Sequence, residues 1–102
     1  MLNNLSNPFE EEVQGSLRKV HIFMRARKRN QTVTTIHHLD DDLDIAKIAK
    51  AMRKRFNCSA TVKLDENHNN EEVIKLSGDH RLHALKFLVE SQIYHEDQIV
   101  LH

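Results

Sequence analysis

Cysteine and glycine are scarce in this chain of 102 residues. Cys58 is the single cysteine, which excludes an internal disulfide and a Cys-x-x-Cys zinc motif and is typical of a reducing compartment. Gly15 and Gly78 are the only glycines, so the chain has no glycine-rich loop of the kind that holds nucleotide phosphates. Nucleotide hydrolysis is therefore not expected.

Long hydrophobic runs are also missing. No segment approaches the roughly 20 apolar residues that cross a bilayer. Residues 1–10 have neither the basic start nor the apolar stretch of a secretory signal. Apolar residues make up 39% of the chain and charged residues 29%, which is the balance of a globular domain. These features predict an intracellular protein that acts away from membranes. We further expect it to be cytoplasmic and monomeric.

Catalytic and metal-binding patterns are not found either. No Ser-His-Asp arrangement occurs in a recognisable local context, and Cys58 is interpreted as a partly buried structural residue. Several of the eight histidines are candidates to gather around an ion, among them His37, His38, His80, His83 and His95. A single cysteine nevertheless disfavours a structural zinc site. We therefore predict no metal site, no cofactor and no enzyme activity.

Acidic residues are missing from one long segment, although the net charge of the chain is zero. Residues 13–39 hold six lysines and arginines and no acid. Residues 18–56 carry eleven bases and four acids, net +7, whereas residues 65–102 carry three bases and eight acids, net −5. The folded protein is expected to have a basic side and an acidic side, and such a molecule lies against a polyanion in one orientation.

Two strand patterns flank the most basic stretch. Val20 to Ala26 alternates with the period of two expected of a strand, and Thr32 to Ile36 is β-branched throughout. Residues 28–31 join them as a hairpin loop, in which Asn30 is expected in the left-handed conformation. A cationic hairpin tip is typical of a finger that contacts phosphates, but such tips also occur as solvated edges that prevent aggregation.

Helical patterns follow at two places. Acidic residues at 40–44 predict a helix start. The apolar stripe of this first helix is formed by Ile45, Ile48, Ala49, Met52 and Phe56. Gly78 and Asp79 are expected to end a strand and cap a second helix. Its predicted apolar stripe is formed by Leu82, Leu85, Leu88, Val89 and Ile93.

The element order predicts the fold class. Short strands at Val62–Leu64, Val73–Leu76 and Ile99–Leu101 complete the order β-β-α-β-β-α-β, with an exposed polar loop at 65–71. We therefore predict an α+β fold, a two-layer α/β sandwich in which two helices cover one face of a mostly antiparallel five-stranded sheet. Residues 18–102 form this domain, and residues 1–17 are predicted to be a flexible tail.

Three pieces of sequence, taken in order and at their spacing, point to a family. Val20–Ile22 followed by Thr32–Ile36 has the Thr-x-Thr-Thr signature of a first hairpin. Lys54–Val62 matches a helix end with its following turn, and Leu76–Arg81 matches a Leu-x-Gly-Asp-x-Arg start of a second helix. With these pieces the chain resembles the eukaryotic translation initiation factor 1 family, which has archaeal and bacterial relatives.

The resemblance implies a non-catalytic factor that binds the small ribosomal subunit near the P site, promotes scanning and helps to reject non-AUG codons. Its implied partners are ribosomal RNA, the initiator tRNA vicinity and other initiation factors. The implied ribosomal-RNA contacts are Arg25, Arg27, Lys28, Arg29, Asn30, Gln31, Arg53 and Lys54. The loop implied to approach initiator tRNA consists of Asp65, Glu66, Asn67, His68, Asn69, Asn70 and Glu71. Lys47 and Lys50 are assigned to a partner-binding helix face.

The chain departs from the family's pattern in both loops. Residues 27–31 lack the glycine of the usual Arg-Asn-Gly-Arg-Lys loop, and the polar loop is longer than usual and lacks proline and glycine. These differences indicate a divergent member. A second functional class also remains open, namely a generic protein-interaction module that binds acidic partners through the basic amphipathic helix 44–56.

Overall fold

A computed structural model describes residues 19–102, so the tail predicted at residues 1–17 lies outside the described residues. The predicted order of elements is confirmed. The strands are β1 (Val20–Ala26), β2 (Thr32–His37), β3 (Ala60–Asp65), β4 (Glu71–Ser77) and β5 (Ile99–Leu101). The helices are α1 (Ile45–Phe56) and α2 (Arg81–Glu90), and short 3₁₀ turns lie at Glu66–His68 and Glu96–Gln98.

The five strands form one sheet in the order β3-β4-β2-β1-β5. β1 pairs antiparallel with β2, β2 with β4, and β3 with β4, whereas the edge strand β5 lies parallel to β1. The sheet is therefore mixed but mostly antiparallel, as predicted.

Within residues 19–102, helices cover only one face of this sheet. The cross-strand neighbours Ile22, Ile36 and Ile74 are fully buried on that face. Helix α1 packs on β3 and β4, and α2 packs on β1. The side chains that alternate with these core residues lie on the opposite face, which we call the open face.

Helix α1 follows its sequence pattern closely. The Asp44 carboxylate accepts the backbone N–H of Lys47 at 3.2 Å and so caps the first turn. The predicted stripe is confirmed, because Ile45, Ile48, Ala49 and Met52 are buried and Phe56 is partly buried. Asn57 ends the helix in the left-handed conformation, with φ of 53°.

The predicted stripe of α2 is partly wrong. Leu88 is buried, but the other buried residues of the helix are Ala84 and Phe87, and Leu82 is 62% exposed. This segment is apolar around most of its circumference, so its pattern alone does not select one face. The cap position is His80 rather than Asp79. The Asp79 carboxylate binds the Arg81 side chain and also accepts the Arg81 backbone N–H at 3.4 Å.

A buried hydroxyl joins the sheet to the start of α2. Thr34 is fully buried, and its Oγ1 donates to the Gly78 carbonyl at 2.7 Å and accepts the His80 N–H at 2.8 Å. Gly78 has φ of 95°, a conformation that residues with a Cβ rarely adopt. Thr34 therefore satisfies two backbone groups in the turn that leads from β4 into α2.

The Thr34→Val variant tests this junction. Valine has the same shape but leaves the Gly78 carbonyl and the His80 N–H without that partner, so we expect a loss of about 2 kcal/mol in the free energy of unfolding, measured in urea. Thr61→Val on the exposed side of β3 is the matched control and is expected to change stability by less than about 0.5 kcal/mol. Equal losses of unfolding free energy in the two variants would contradict this role for Thr34.

Candidate nucleic-acid interface

The hairpin between β1 and β2 ends in a tight turn. The Gln31 N–H donates to the Lys28 carbonyl at 3.2 Å, and the Arg27 N–H donates to the Gln31 carbonyl at 2.6 Å. Arg29 and Asn30, at the centre of the turn, have φ of 56° and 63°. This is the left-handed pair that a type I′ turn requires, so the expectation for Asn30 is confirmed. All side chains of residues 25–31 are exposed.

The C-terminal end of α1 lies at the same end of the sheet as this hairpin tip. The turn after α1 is tied to the end of β4 through the Ser59 carbonyl, which accepts the Ser77 N–H at 2.9 Å. The next residue, Gly78, donates its N–H to the Thr32 carbonyl at the start of β2. Arg53 and Lys54, in the last turn of α1, are exposed. The predicted RNA-contacting residues of the hairpin and of α1 therefore share one end of the molecule, which we call the basic end.

Arg55 of the same helix turn has intramolecular partners. Its guanidinium lies 2.9 Å from the Glu90 carboxylate and 5.9 Å from the centre of the Phe87 ring. Both ion-pair side chains are more than half exposed, so this pair contributes little to stability. It does hold Arg55 against α2, which distinguishes it from its neighbours Arg53 and Lys54.

Two lysines outside the predicted RNA contacts extend the basic end onto the open face. Lys63 and Lys75 line a shallow depression together with Arg25 and Arg27. Partial desolvation, followed by the nearby charges of Arg27 and Lys63, lowers the pKa of Lys75. These cations come from three strands or their ends, so only the strand register brings them together.

Histidine rings partly cover the aromatic side chain of the open face. The His102 ring stacks on Phe23 with 4.1 Å between ring centres, and the His37 ring meets Phe23 edge-on at 5.1 Å. Burial, and then the neighbouring His38 and His102, lowers the pKa of His21 beside them. Phe23 is therefore packed among imidazoles and is not presented alone for base stacking.

The polar loop between β3 and β4 lies at the opposite end of the sheet. Its 3₁₀ turn at Glu66–His68 is followed by Asn69 and Asn70, whose φ values are 57° and 56°. The prediction of an exposed loop over 65–71 needs correction at both ends, because Asp65 and Glu71 are paired strand residues and are only partly exposed. Glu66, Asn67, Asn69 and Asn70 are exposed as predicted.

Other acidic residues lie near this loop. Asp41, in the segment between β2 and α1, lines a surface depression together with Glu71 and Glu72. The turn at Glu96–Gln98 leads into β5 at the same end of the sheet, beside the start of β1. Acidic residues from both halves of the sequence thus gather at the end of the sheet opposite the hairpin tip, which we call the acidic end.

The remaining candidate residues show ordinary environments. Lys47 and Lys50 are exposed on α1. Cys58 is partly buried beside the core, and burial raises the pKa of its thiol, which disfavours the reactive thiolate. His80 and His83 lie with their Nδ1 atoms 3.1 Å apart. None of the helices between residues 19 and 102 has the length and apolar character of a membrane span.

Comparison with known proteins identifies the family. A family model described as translation initiation factor SUI1 matches residues 16–94. Human eukaryotic translation initiation factor 1 is 39% identical over 83 residues, covering 81% of this chain and 72% of the human protein. A protein translation factor SUI1 homolog of Acanthamoeba polyphaga mimivirus is 29% identical, and the match covers 100% of this chain and 98% of the viral protein.

A solved structure supports the fold. The C-terminal domain of human eIF2D matches with a TM-score of 0.73 and 21% sequence identity, covering 81% of this chain and 42% of that chain. At this identity the likeness concerns the arrangement of strands and helices alone. It agrees with the five-stranded sheet and two helices described above.

The Asn30→Gly variant tests the geometry of the hairpin tip without changing its charge. Glycine adopts positive φ without a steric penalty, so we expect the free energy of unfolding to rise by roughly 0.5 to 1 kcal/mol. Gln31→Gly is the matched control within the same loop. Gln31 does not have positive φ, and we expect this glycine to destabilise the hairpin. The type I′ turn would be contradicted if urea unfolding showed that both variants change the free energy of unfolding in the same direction.

Proposed function

This chain belongs to the translation initiation factor SUI1 family and is a translation initiation factor, and from that premise we propose that it binds the small ribosomal subunit near the P site. In this proposal it promotes scanning and start-codon fidelity. The observation that carries the proposal is the gathering of exposed cations from the hairpin tip and the end of α1 at one end of the sheet.

A ribosomal-RNA surface is recognised mainly through its phosphates, which Lys and Arg neutralise. The hairpin tip presents Arg27, Lys28 and Arg29 on a narrow turn, which enters an RNA groove more readily than a whole domain does. Arg53 and Lys54 supply further cations beside it, and residues 30–31 supply polar groups. Because these residues share one end, a single RNA surface can contact them together.

The acidic end supports the second part of the proposal. With the basic end on ribosomal RNA, the opposite end with Glu66 and Glu72 faces away from those phosphates. We infer that the loop lies close to initiator tRNA and repels its backbone. Full seating of the tRNA then disfavours the bound factor, and codon–anticodon pairing provides the free energy that displaces it.

The factor is proposed to act in the cytoplasm and without catalysis. In this proposal the factor acts only by binding RNA and being released as the initiation complex changes. The exposed Lys47 and Lys50 face of α1 is proposed as a contact for other initiation factors with acidic segments. This face uses the helix that the alternative interaction-module hypothesis invoked, so both contacts are compatible with one protein.

The Arg27→Ala, Lys28→Ala, Arg29→Ala triple variant tests ribosome binding. We expect affinity for purified eukaryotic small ribosomal subunits to fall at least about tenfold at moderate salt. The slope of log K against log salt should also decrease by about 0.7 to 0.9 for each RNA phosphate that the variant no longer neutralises. Co-sedimentation over a salt series measures both quantities.

A charge-matched variant separates a specific contact from general attraction. Lys47→Ala, Lys50→Ala, Lys86→Ala removes the same positive charge from helical positions away from the hairpin and is expected to weaken subunit binding much less. Equal losses of subunit affinity in the two triple variants would show that the hairpin tip is not a specific contact. No binding by the unaltered protein at low salt would reject the proposal.

The Glu66→Gln, Glu72→Gln double variant tests repulsion of the tRNA. Both side chains are exposed, and losing two negative charges should strengthen simultaneous binding of factor and initiator tRNA to the subunit several-fold. Glu96→Gln with Asp97→Asn is the control, since these exposed acids lie at the same end but beside the opposite edge of the sheet. An unchanged tRNA affinity in the first variant, measured by filter binding, would refute repulsion by the loop.

A further inference from the structure

A mixed group of histidine and carboxylate side chains lies where β2, β3 and β4 meet the acidic end. Ligand atoms of His37, Asp65 and Glu71 all lie within 4.8 Å of one another, and all three side chains are partly buried. Asp65 and Glu71 are direct cross-strand partners, and His37 follows Ile36, which pairs with Ile74 on the next strand. The group is therefore built on three adjacent strands and does not depend on the loop alone.

The Glu71 carboxylate is the unusual member of this group. Its side chain is 12% exposed, and both of its oxygens are buried without a partner in hydrogen-bonding geometry among the described residues. The Nδ1 atom of His38 lies 3.0 Å from Oε2, a distance suitable for an ion pair. A buried carboxylate directly opposite a second carboxylate is destabilising unless a positive charge compensates it.

Neighbouring groups orient the side chains. The Thr35 hydroxyl lies 3.1 Å from Nε2 of His37, and Oδ1 of Asp65 accepts the Asn67 N–H at 3.1 Å. Such outer contacts fix the rings and carboxylates that bind metals in proteins. The strands and these contacts hold the group in place before any ligand arrives.

We propose that His37, Asp65 and Glu71, with His38 as a further ligand, bind a divalent transition-metal cation, for which Zn²⁺ is the expected ion. Imidazole nitrogen and carboxylate oxygen are ordinary ligands of Zn²⁺, and four of them complete its tetrahedral shell. The cation would compensate the charge of the two carboxylates. It would also join the ends of β2, β3 and β4, and so hold the strands that flank the polar loop.

The other close pair of histidines is a weaker candidate for a metal site. His80 and His83 approach each other, but the neighbouring Asp79 carboxylate is engaged by the Arg81 side chain through two contacts of 2.9 Å. Among the residues that the structure describes, this pair therefore lacks a carboxylate partner for a cation, and it serves as the internal control.

Titration of the metal-stripped full chain with Zn²⁺ tests the proposal. Calorimetry should show one ion bound per chain with a Kd of about 10 μM or tighter. Tetrahedral Co²⁺ absorbs visible light far more strongly than the aqueous ion, so Co²⁺ should give intense absorption bands. Glu71→Gln and His37→Asn should each weaken binding at least about tenfold, whereas His83→Asn should leave it unchanged.

Glu71→Gln keeps the shape of the side chain and removes a buried charge, so it should fold even if His37→Asn does not, and circular dichroism verifies this. The proposal is overturned if the unaltered chain binds no Zn²⁺ in the micromolar range, if Glu71→Gln binds as tightly as the unaltered chain, or if His83→Asn abolishes binding. These readouts use the isolated protein and are independent of ribosome binding.

Discussion

Burial of the sheet on one face is the constraint on which the rest of the structure depends. Ile22, Ile36 and Ile74 lie side by side beneath the helices with no exposed surface. The alternate residues of the same strands lie on the open face, where most side chains are at least partly exposed and charges and imidazoles are accommodated more easily than in the core. Since a slip of one residue would exchange the two faces, the alternation that forms the core also decides which side chains form the open face.

Strand direction then sorts the charges along the sheet. The β1–β2 hairpin and the end of α1 meet at one end, while the β3–β4 loop and the segment after β2 meet at the other. Cations of the hairpin, α1, β3 and β4 therefore gather toward one end, and the acids of the β3–β4 loop and of the segment after β2 gather toward the other. A domain of zero net charge acquires a charge asymmetry sufficient to orient it on a polyanion.

Some elements could be predicted from the sequence because their apolar residues are compatible with only one buried face. Alternation from Val20 to Ala26 and the stripe of α1 each select a single face, and the structure confirms both. The stripe of α2 was misplaced because that segment is apolar on most sides, as the exposed Leu82 shows. The approach of Lys63 and Lys75 to the hairpin arginines depends on register, which turn geometry at residues 69–70 fixes and which no local pattern reveals.

Both ends of the open face gather like charges that a fold selected for stability alone would keep apart. Desolvation lowers the pKa of Lys75, and the nearby charges of Arg27 and Lys63 lower it further. At the other end Asp65 lies directly opposite Glu71. Departures of this kind are expected where a ligand of opposite charge binds. In the proposed function that ligand is phosphate at the basic end. In the proposed cation site it is a metal ion, which would reduce the negative charge beside the loop that is proposed to approach initiator tRNA, and so would link ion binding to the strength of the proposed repulsion.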